Sequence, residues 1–176
     1  MKALVTLAYK THLETRDLLL RPMTVADLED YHAYTSNDAL LRYDYPAHGS
    51  LEESLEALVT WNLSQPLGRY GIELKQTGRL IGNVSIRPDE RTQTAEIGYT
   101  LHPAYHGKGY ATQAAHALLT LAQQMPTIQT LVGNVDSRNL ASIRVLEKIG
   151  MTKVAESSKT NIRGEEIVSV RYEVGV

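Results

Sequence analysis

The apolar pattern of residues 111–122 constrains the fold of this chain more than any other feature of its sequence. Its apolar residues recur at three- and four-residue intervals: Ala111, Ala114, Ala115, Leu118, Leu119 and Ala122. This spacing predicts an amphipathic helix, whose apolar face must be covered by another element. Because strand-like segments precede and follow it, we expect the helix to pack on a β-sheet.

The other segments predict a mixed α/β architecture. Strands are expected over residues 18–21, 70–75, 79–87, 94–101, 129–135, 151–157 and 165–174. Further helices are expected over residues 24–36, from residue 51 and over residues 140–148, with N-caps at Thr24, Ser50 and Asn139. Hairpins together with helical crossovers imply a mixed sheet of about seven strands with helices on both faces.

Length and composition indicate one domain over residues 1–176, in which residues 1–12 form an N-terminal extension. The chain is 43% hydrophobic and 22% charged, as in ordinary globular proteins. The longest apolar stretch, residues 114–122, is far shorter than the ~18 residues that a membrane helix needs. The apolar start is interrupted by Thr6 and followed by charges, unlike a signal peptide. A cytoplasmic location is therefore expected, with no membrane partner.

Charge and cysteine content exclude several functions. Eighteen basic and twenty acidic residues give a net charge of −2, and the basic residues are scattered, so no nucleic-acid partner is expected. The absence of cysteine excludes a disulfide scaffold, a thiolate nucleophile and cysteine-bound metal centres. Pro103 lies between His102 and His106 and disfavours a helix that would align them on one metal ion. No metal is expected.

The segment Tyr105-His106-Gly107-Lys108-Gly109-Tyr110-Ala111 lies between a predicted strand and the long helix. Alternating glycines at a helix N-terminus leave backbone N–H groups uncovered, which suits a phosphate or pyrophosphate; a simple tight turn is equally compatible. The segment lacks the spacing of a P-loop. It also lacks the third glycine and distant acid of a dinucleotide-binding motif, because Thr112 and Gln129 stand at those places.

Several motifs in order resemble the GNAT superfamily of acyl-CoA-dependent N-acyltransferases. They are Leu13-Glu14-Thr15, Leu18 to Pro22, Glu96-Ile97-Gly98-Tyr99, the glycine segment, Asn139 with Ser142, and Leu146 to Met151. The match is most similar to the branch of ribosomal-protein N-terminal-amine acetyltransferases and covers residues 13–174. It implies one acyltransferase domain with a sheet splayed at its centre, acetyl-CoA as co-substrate, and any assembly from monomer through homodimer upward.

The resemblance also implies the residues that hold the cofactor. The amides of Gly107 to Ala111 would bind the pyrophosphate, and the strand ending at Leu101-His102 would splay to admit pantetheine. Asn139 would contact the pantetheine arm, and Ser142 would lie near the thioester sulfur. His106 stands where the family usually has Gln or Arg. The expected cofactor contacts are Leu101, His102, His106, Gly107, Lys108, Gly109, Tyr110, Ala111, Asn139 and Ser142.

Glu96 and Ser142 are the candidate catalytic residues. Glu96 shares one face of its predicted strand with Gly98 and Thr100 and could serve as the general base; the alternative is an ordinary ion pair with Lys or Arg. Many relatives carry a tyrosine acid at the position of Leu146, which cannot donate a proton. That role passes to Ser142, to water or to no group, and Ser142 is equally expected as part of a helix cap.

The acceptor is expected to be a primary amine. An α-amine with a pKa of ~8 is neutral in about one molecule in ten at pH 7, against roughly one in 2,500 for lysine, so a weak base suffices for a protein N-terminus. Alternatives are a polyamine, antibiotic or amino-acid acceptor, or a non-catalytic acyl-CoA sensor. An acidic residue among aromatic residues suits a cationic amine, although surface tyrosines are common. By the resemblance, the acceptor cleft contains Tyr43, Asp44, Tyr45 and Trp61.

Overall fold

An eight-stranded mixed sheet forms the centre of the molecule in the computed structural model, which describes residues 2–176. The strands are β1 (Leu13–Glu14), β2 (Leu18–Arg21), β3 (Arg69–Leu74), β4 (Arg79–Asp89), β5 (Thr94–Leu101), β6 (Thr130–Asp136), β7 (Thr152–Thr160) and β8 (Glu166–Gly175). Their order across the sheet is β1-β2-β3-β4-β5-β6-β8-β7. The expectation of about seven strands missed β1, because two residues are too few to show a periodic pattern.

Five α-helices accompany the sheet within the described residues: α1 (Ala3–Tyr9), α2 (Leu28–Thr35), α3 (Leu51–Leu58), α4 (Tyr110–Ala122) and α5 (Leu140–Lys148). The predicted caps are present. Thr24 closes a capping box with Asp27, and the side chains of Ser50 and Asn139 accept hydrogen bonds from backbone amides three residues on. The first predicted helix begins as a 3-10 turn, and α3 continues into a π-helical turn over Val59–Leu63.

The apolar face of α4 lies in the main core, as its periodicity predicts. Ala114, Ala115 and Leu118 are fully buried there against residues of β2 to β6. Residues 1–12, expected as an extension, contain α1, whose Ala3 and Leu7 are also buried in this core. A second cluster, on the other sheet face, packs α2 and α3 on Leu80 and Met23. Among residues 2–176 no helix is long and apolar enough to cross a membrane.

The sheet is splayed at its centre, between β5 and β6. These two strands are the parallel pair, and their pairing is confined to Thr94 with Thr130, Ala95 with Leu131, and Glu96 with Val132. Both strands continue further, to Leu101 and Asp136, without pairing to each other. The unpaired edges therefore frame a gap in the middle of the sheet.

Candidate active site

A cleft of about 860 Å³ occupies the gap between β5 and β6. Its floor is formed by the diverging halves of the two strands. Its walls are the glycine segment before α4, the first turns of α5, the loop after α2 and the end of the β7–β8 hairpin. Elements from most of the chain length thus converge on one site.

The glycine segment presents a row of free backbone donors to this cleft. Gly107 and Gly109 have φ angles of +75° and +80°, which a side chain would strain, and a Cβ at either position would meet open space. The amides of residues 107–112 donate to no acceptor within residues 2–176. They lie at the N-terminus of a 13-residue helix, so their dipoles favour a bound anion such as a pyrophosphate.

Most predicted cofactor residues line the cleft: Leu101, His106, Gly107, Gly109, Tyr110, Ala111, Asn139 and Ser142. The structure does not bring the side chains of His102 and Lys108 there. His102 Nδ1 accepts a hydrogen bond from the amide of Ala104 and so caps a 3-10 turn, while the Lys108 ammonium lies over the Tyr105 ring. His106 Nε2 donates to the carbonyl of Leu101 at 2.7 Å, which joins the loop to the end of β5.

Ser142 has a partner that the sequence did not single out. The Tyr99 hydroxyl donates to the carbonyl oxygen of Ser142 at 2.9 Å and lies 2.8 Å from its Oγ. Burial raises the pKa of Tyr99 to about 12, with the Ser142 hydrogen bond opposing and the Asp44 charge adding to it. Tyr99 therefore keeps its proton at neutral pH. The sequence signal for this contact is strand alternation, which places Tyr99 on the face of β5 opposite Glu96.

Two other predicted features of α5 are present. The Asn139 side chain accepts from the amide of Ser142 at 3.2 Å, so Asn139 is a helix cap as well as a cleft residue. Leu146 is buried and fills the space beneath Gly133, where an added Cβ would lie 2.9 Å from the leucine methyl groups. Leu146 is thus a packing residue without a proton to donate.

Glu96 lies on the cleft floor, held by two neighbours. Its Oε1 accepts from Asn134 Nδ2 at 3.0 Å, and its Oε2 lies 3.4 Å from Arg87 Nη2. An ion pair with a basic residue, here Arg87, is the alternative to a general-base role that the sequence left open for Glu96. Both contacts hold the carboxylate in place on the cleft floor.

Asp44 lies in the cleft wall formed by the loop after α2, between Tyr43 and Tyr45. Asp44 is exposed at the cleft mouth, its carboxylate accepts no hydrogen bond from residues 2–176, and the cleft walls desolvate it only in part. This desolvation raises the pKa of Asp44 to about 6; the Arg163 charge opposes the increase and Asp136 adds to it. Asp44 can therefore change protonation near neutral pH.

The remaining predicted acceptor residues divide into two groups. The Tyr43 ring packs against the guanidinium groups of Arg42 and Arg138, at 4.9 and 5.4 Å, and Tyr45 stacks on His48. Trp61 lies outside the cleft, on the exposed π-helical turn after α3.

No group of three His, Asp or Glu within residues 2–176 could hold a metal ion.

The family model and the curated relatives that match this chain both point to N-acetyltransferases. A family model described as an acetyltransferase (GNAT) domain matches residues 17–152. The uncharacterized N-acetyltransferase YnaD of Bacillus subtilis is 29% identical over 155 residues, which are 88% of this chain and 91% of that protein.

Solved structures share the fold. A GNAT-family acetyltransferase from Bacillus anthracis superposes with a TM-score of 0.82 at 26% identity, over 93% of this chain and 98% of that one. The ribosomal L7/L12 α-N-protein acetyltransferase RimL, in complex with coenzyme A, has a TM-score of 0.79 at 22% identity (92% and 96% covered). Spermidine N-acetyltransferase from Vibrio cholerae, in complex with coenzyme A and spermine, has a TM-score of 0.75 at 21% identity (92% and 96%).

Proposed function

This chain belongs to the GNAT family of acetyltransferases and is an acetyl-CoA-dependent N-acetyltransferase, and we propose that its acceptor is a protein N-terminal α-amine. The observation that carries the proposal is Asp44, a carboxylate on the acceptor side of the cleft with a pKa of about 6. The structures with the same fold do not distinguish between acceptor classes, because RimL is named for a protein α-amine and the Vibrio cholerae enzyme for spermidine.

The cleft residues fit acetyl-CoA. The six free amides of residues 107–112 suit its pyrophosphate, and the unpaired edges of β5 and β6 offer backbone groups to the amides of its pantetheine arm. Bound acetyl-CoA supplies the activated acetyl group. The chain must then orient the amine and remove a proton from it.

Asp44 is the proposed proton acceptor. At pH 7 a carboxyl group with a pKa of about 6 is mostly ionised, so it can attract an ammonium group and then take its proton. The other carboxylates of the cleft are engaged: Glu96 by Arg87 and Asn134, and Asp136 by Arg138. We therefore assign the base role to Asp44 and a structural role on the cleft floor to Glu96.

The pKa of Asp44 suits one class of amine better than another. A protein α-amine has a pKa of ~8, about two pH units above that of Asp44, whereas lysine at ~10.4 lies more than four above it. Proton transfer from the amine to Asp44 is less unfavourable when the difference between their pKa values is smaller. This match supports an α-amine over a lysine or a polyamine.

Ser142 lies on the opposite wall, 2.8 Å from the Tyr99 oxygen, and its hydroxyl can rotate its proton from Tyr99 toward a leaving thiolate. A leaving thiolate with a pKa near ~8.5 needs no strong acid, so a hydrogen bond from Ser142 Oγ is sufficient. The absence of a tyrosine at position 146 is therefore compatible with turnover.

The test is a matched acceptor panel with acetyl-CoA. One peptide has a free N-terminus and no lysine, a second has the same sequence with an acetylated N-terminus and one lysine, and spermidine is the third acceptor. We expect thiol release and a mass gain of one acetyl group with the first peptide. Preference for the second peptide or spermidine would contradict the proposed acceptor, and tight cofactor binding without thiol release from any acceptor would indicate an acyl-CoA sensor.

A further inference from the structure

We propose that Arg163 is a positioning residue that holds the acceptor loop, residues 37–48, in place over the cleft. The proposal rests on the proposed function of Asp44, which lies within this loop. Arg163 itself belongs to the turn between β7 and β8, more than 110 residues further along the chain.

The contacts of Arg163 join the two segments directly. Its Nη2 donates to Asp38 Oδ1 at 2.9 Å and to the carbonyl oxygens of Leu41 and Tyr45 at 3.1 Å each. These carbonyls lie on either side of Asp44 in the sequence. The Arg163 side chain is 22% exposed, and its Nε is buried, so the guanidinium is packed between the turn and the loop. Charge-assisted bonds of this kind are stronger than those between neutral groups.

The turn that presents Arg163 is itself well ordered by local bonds. Asn161 Oδ1 accepts from the amides of Arg163 and Glu165 at 2.9 Å each, and the Asn161 amide donates to the Glu165 carbonyl. Gly164 supplies the left-handed conformation that the turn requires, with φ +81°. Arg163 therefore extends from a preorganised support toward the loop.

The groups around Asp44 come from four parts of the fold. Tyr45 belongs to the acceptor loop, Tyr99 to β5, Asp136 to β6 and Arg163 to the hairpin turn. Asp136 is occupied by Arg138, with which it forms a 2.7 Å ion pair. Arg163 is the cation that acts on Asp44, so it both holds the loop and lowers the proton affinity that desolvation gives the carboxylate.

Kinetics of Arg163→Gln with the α-amine peptide provide the first test. We expect kcat/KM for the peptide to fall about tenfold or more, with the KM for acetyl-CoA within about twofold of the wild-type value. The acid limb of the kcat/KM profile should move to higher pH, because losing the cation lets the pKa of Asp44 rise further. Arg91→Gln is the matched control; Arg91 pairs with Asp89 in the exposed β4–β5 turn and should leave all three quantities unchanged.

Arg163→Lys separates charge from geometry. It keeps the positive charge but not the forked donors, so the acid limb should stay near its wild-type position while kcat/KM still falls. The proposal would be overturned if Arg163→Gln kept both the wild-type kcat/KM and the wild-type position of the acid limb in the pH profile. So would an equal loss of affinity for acetyl-CoA, because that would indicate damage to the whole cleft.

A measurement without turnover keeps this proposal distinct from the proposed function. Carboxyl-carbon NMR, assigned with Asp44→Asn, should give a higher pKa for Asp44 in Arg163→Gln than in wild type, and hydrogen exchange should be faster over residues 37–48. Identical pKa values and exchange rates would refute the positioning role even if the enzyme acetylates peptides. Conversely, both changes in a protein that acetylates no α-amine would uphold it while rejecting the acceptor assignment.

Discussion

At the residue scale, two carboxylates on one cleft differ because of their neighbours. Glu96 accepts from Asn134 and pairs with Arg87, whereas the Asp44 carboxylate has no hydrogen-bond donor within residues 2–176 and lies at the exposed cleft mouth between Tyr43 and Tyr45. Partial loss of hydration raises the pKa of Asp44. The same functional group therefore serves as a candidate base in one position and as a paired charge in the other.

Asp44→Asn should lower kcat/KM for an α-amine peptide about 100-fold at pH 7. In wild type, kcat/KM should rise with pH through about 6 as Asp44 loses its proton, and this limb should be absent from the variant. Glu96→Gln is the isosteric control and should retain the limb. If Glu96 were the base, Glu96→Gln would instead lose more turnover at pH 7 than at pH 9, and Asp44→Asn would keep the limb.

At the element scale, α4 combines two tasks. Its apolar face is part of the main core, and its first turn presents free amides to the cleft. The core contacts fix the helix axis, so the amides keep their direction without a ligand. β5 has a similar double role, since Ala95 and Ile97 are buried while its far half lines the gap.

Leu118→Ala should lower the free energy of unfolding by about 2–5 kcal/mol, because it leaves a cavity beneath α4. Leu140→Ala in α5 is the matched control, since Leu140 is 59% exposed and should change stability by less than about 0.5 kcal/mol. Urea unfolding measures both. Equal losses in the two variants would show that α4 is not anchored through this core.

At the scale of the whole molecule, the cleft unites segments from residue 39 to residue 167. The chain has a net charge of −2 and belongs to a family whose co-substrate is strongly anionic. Backbone amides resolve this apparent conflict, because they contribute positive dipoles that a count of charged residues does not include. A cofactor that binds only the folded chain must stabilise the whole domain.

Acetyl-CoA at about 100 times its Kd should add about 2.7 kcal/mol to the unfolding free energy, which raises Tm by about 5–10 °C. Gly109→Asp should remove this increase by placing a carboxylate among the free amides. Gly78→Asp is its control, because Gly78 has a comparable φ of +69° and an open Cβ position in the β3–β4 turn. An undiminished increase in Gly109→Asp would contradict the assignment of the pyrophosphate site.

Elements whose information is local can be predicted from the sequence alone. The α4 periodicity, the β3–β4 hairpin, and the caps at Thr24, Ser50 and Asn139 all depend on residues within a few positions of one another, and the structure confirms them. The glycine segment belongs to the same class, since its free amides follow from its own backbone angles.

Features that depend on neighbours distant in sequence are visible only in the folded chain. The pairing of Glu96 with Arg87 and Asn134, the support of Ser142 by Tyr99 and the contact of Arg163 with the acceptor loop all bring together separate elements. The pKa of Asp44 likewise depends on the cleft walls and charges around it, and the exclusion of Trp61 depends on where its helical turn lies relative to the cleft. Proton affinity and access to a cleft are set by hydration and by charges in space, and neither can be read from adjacent residues.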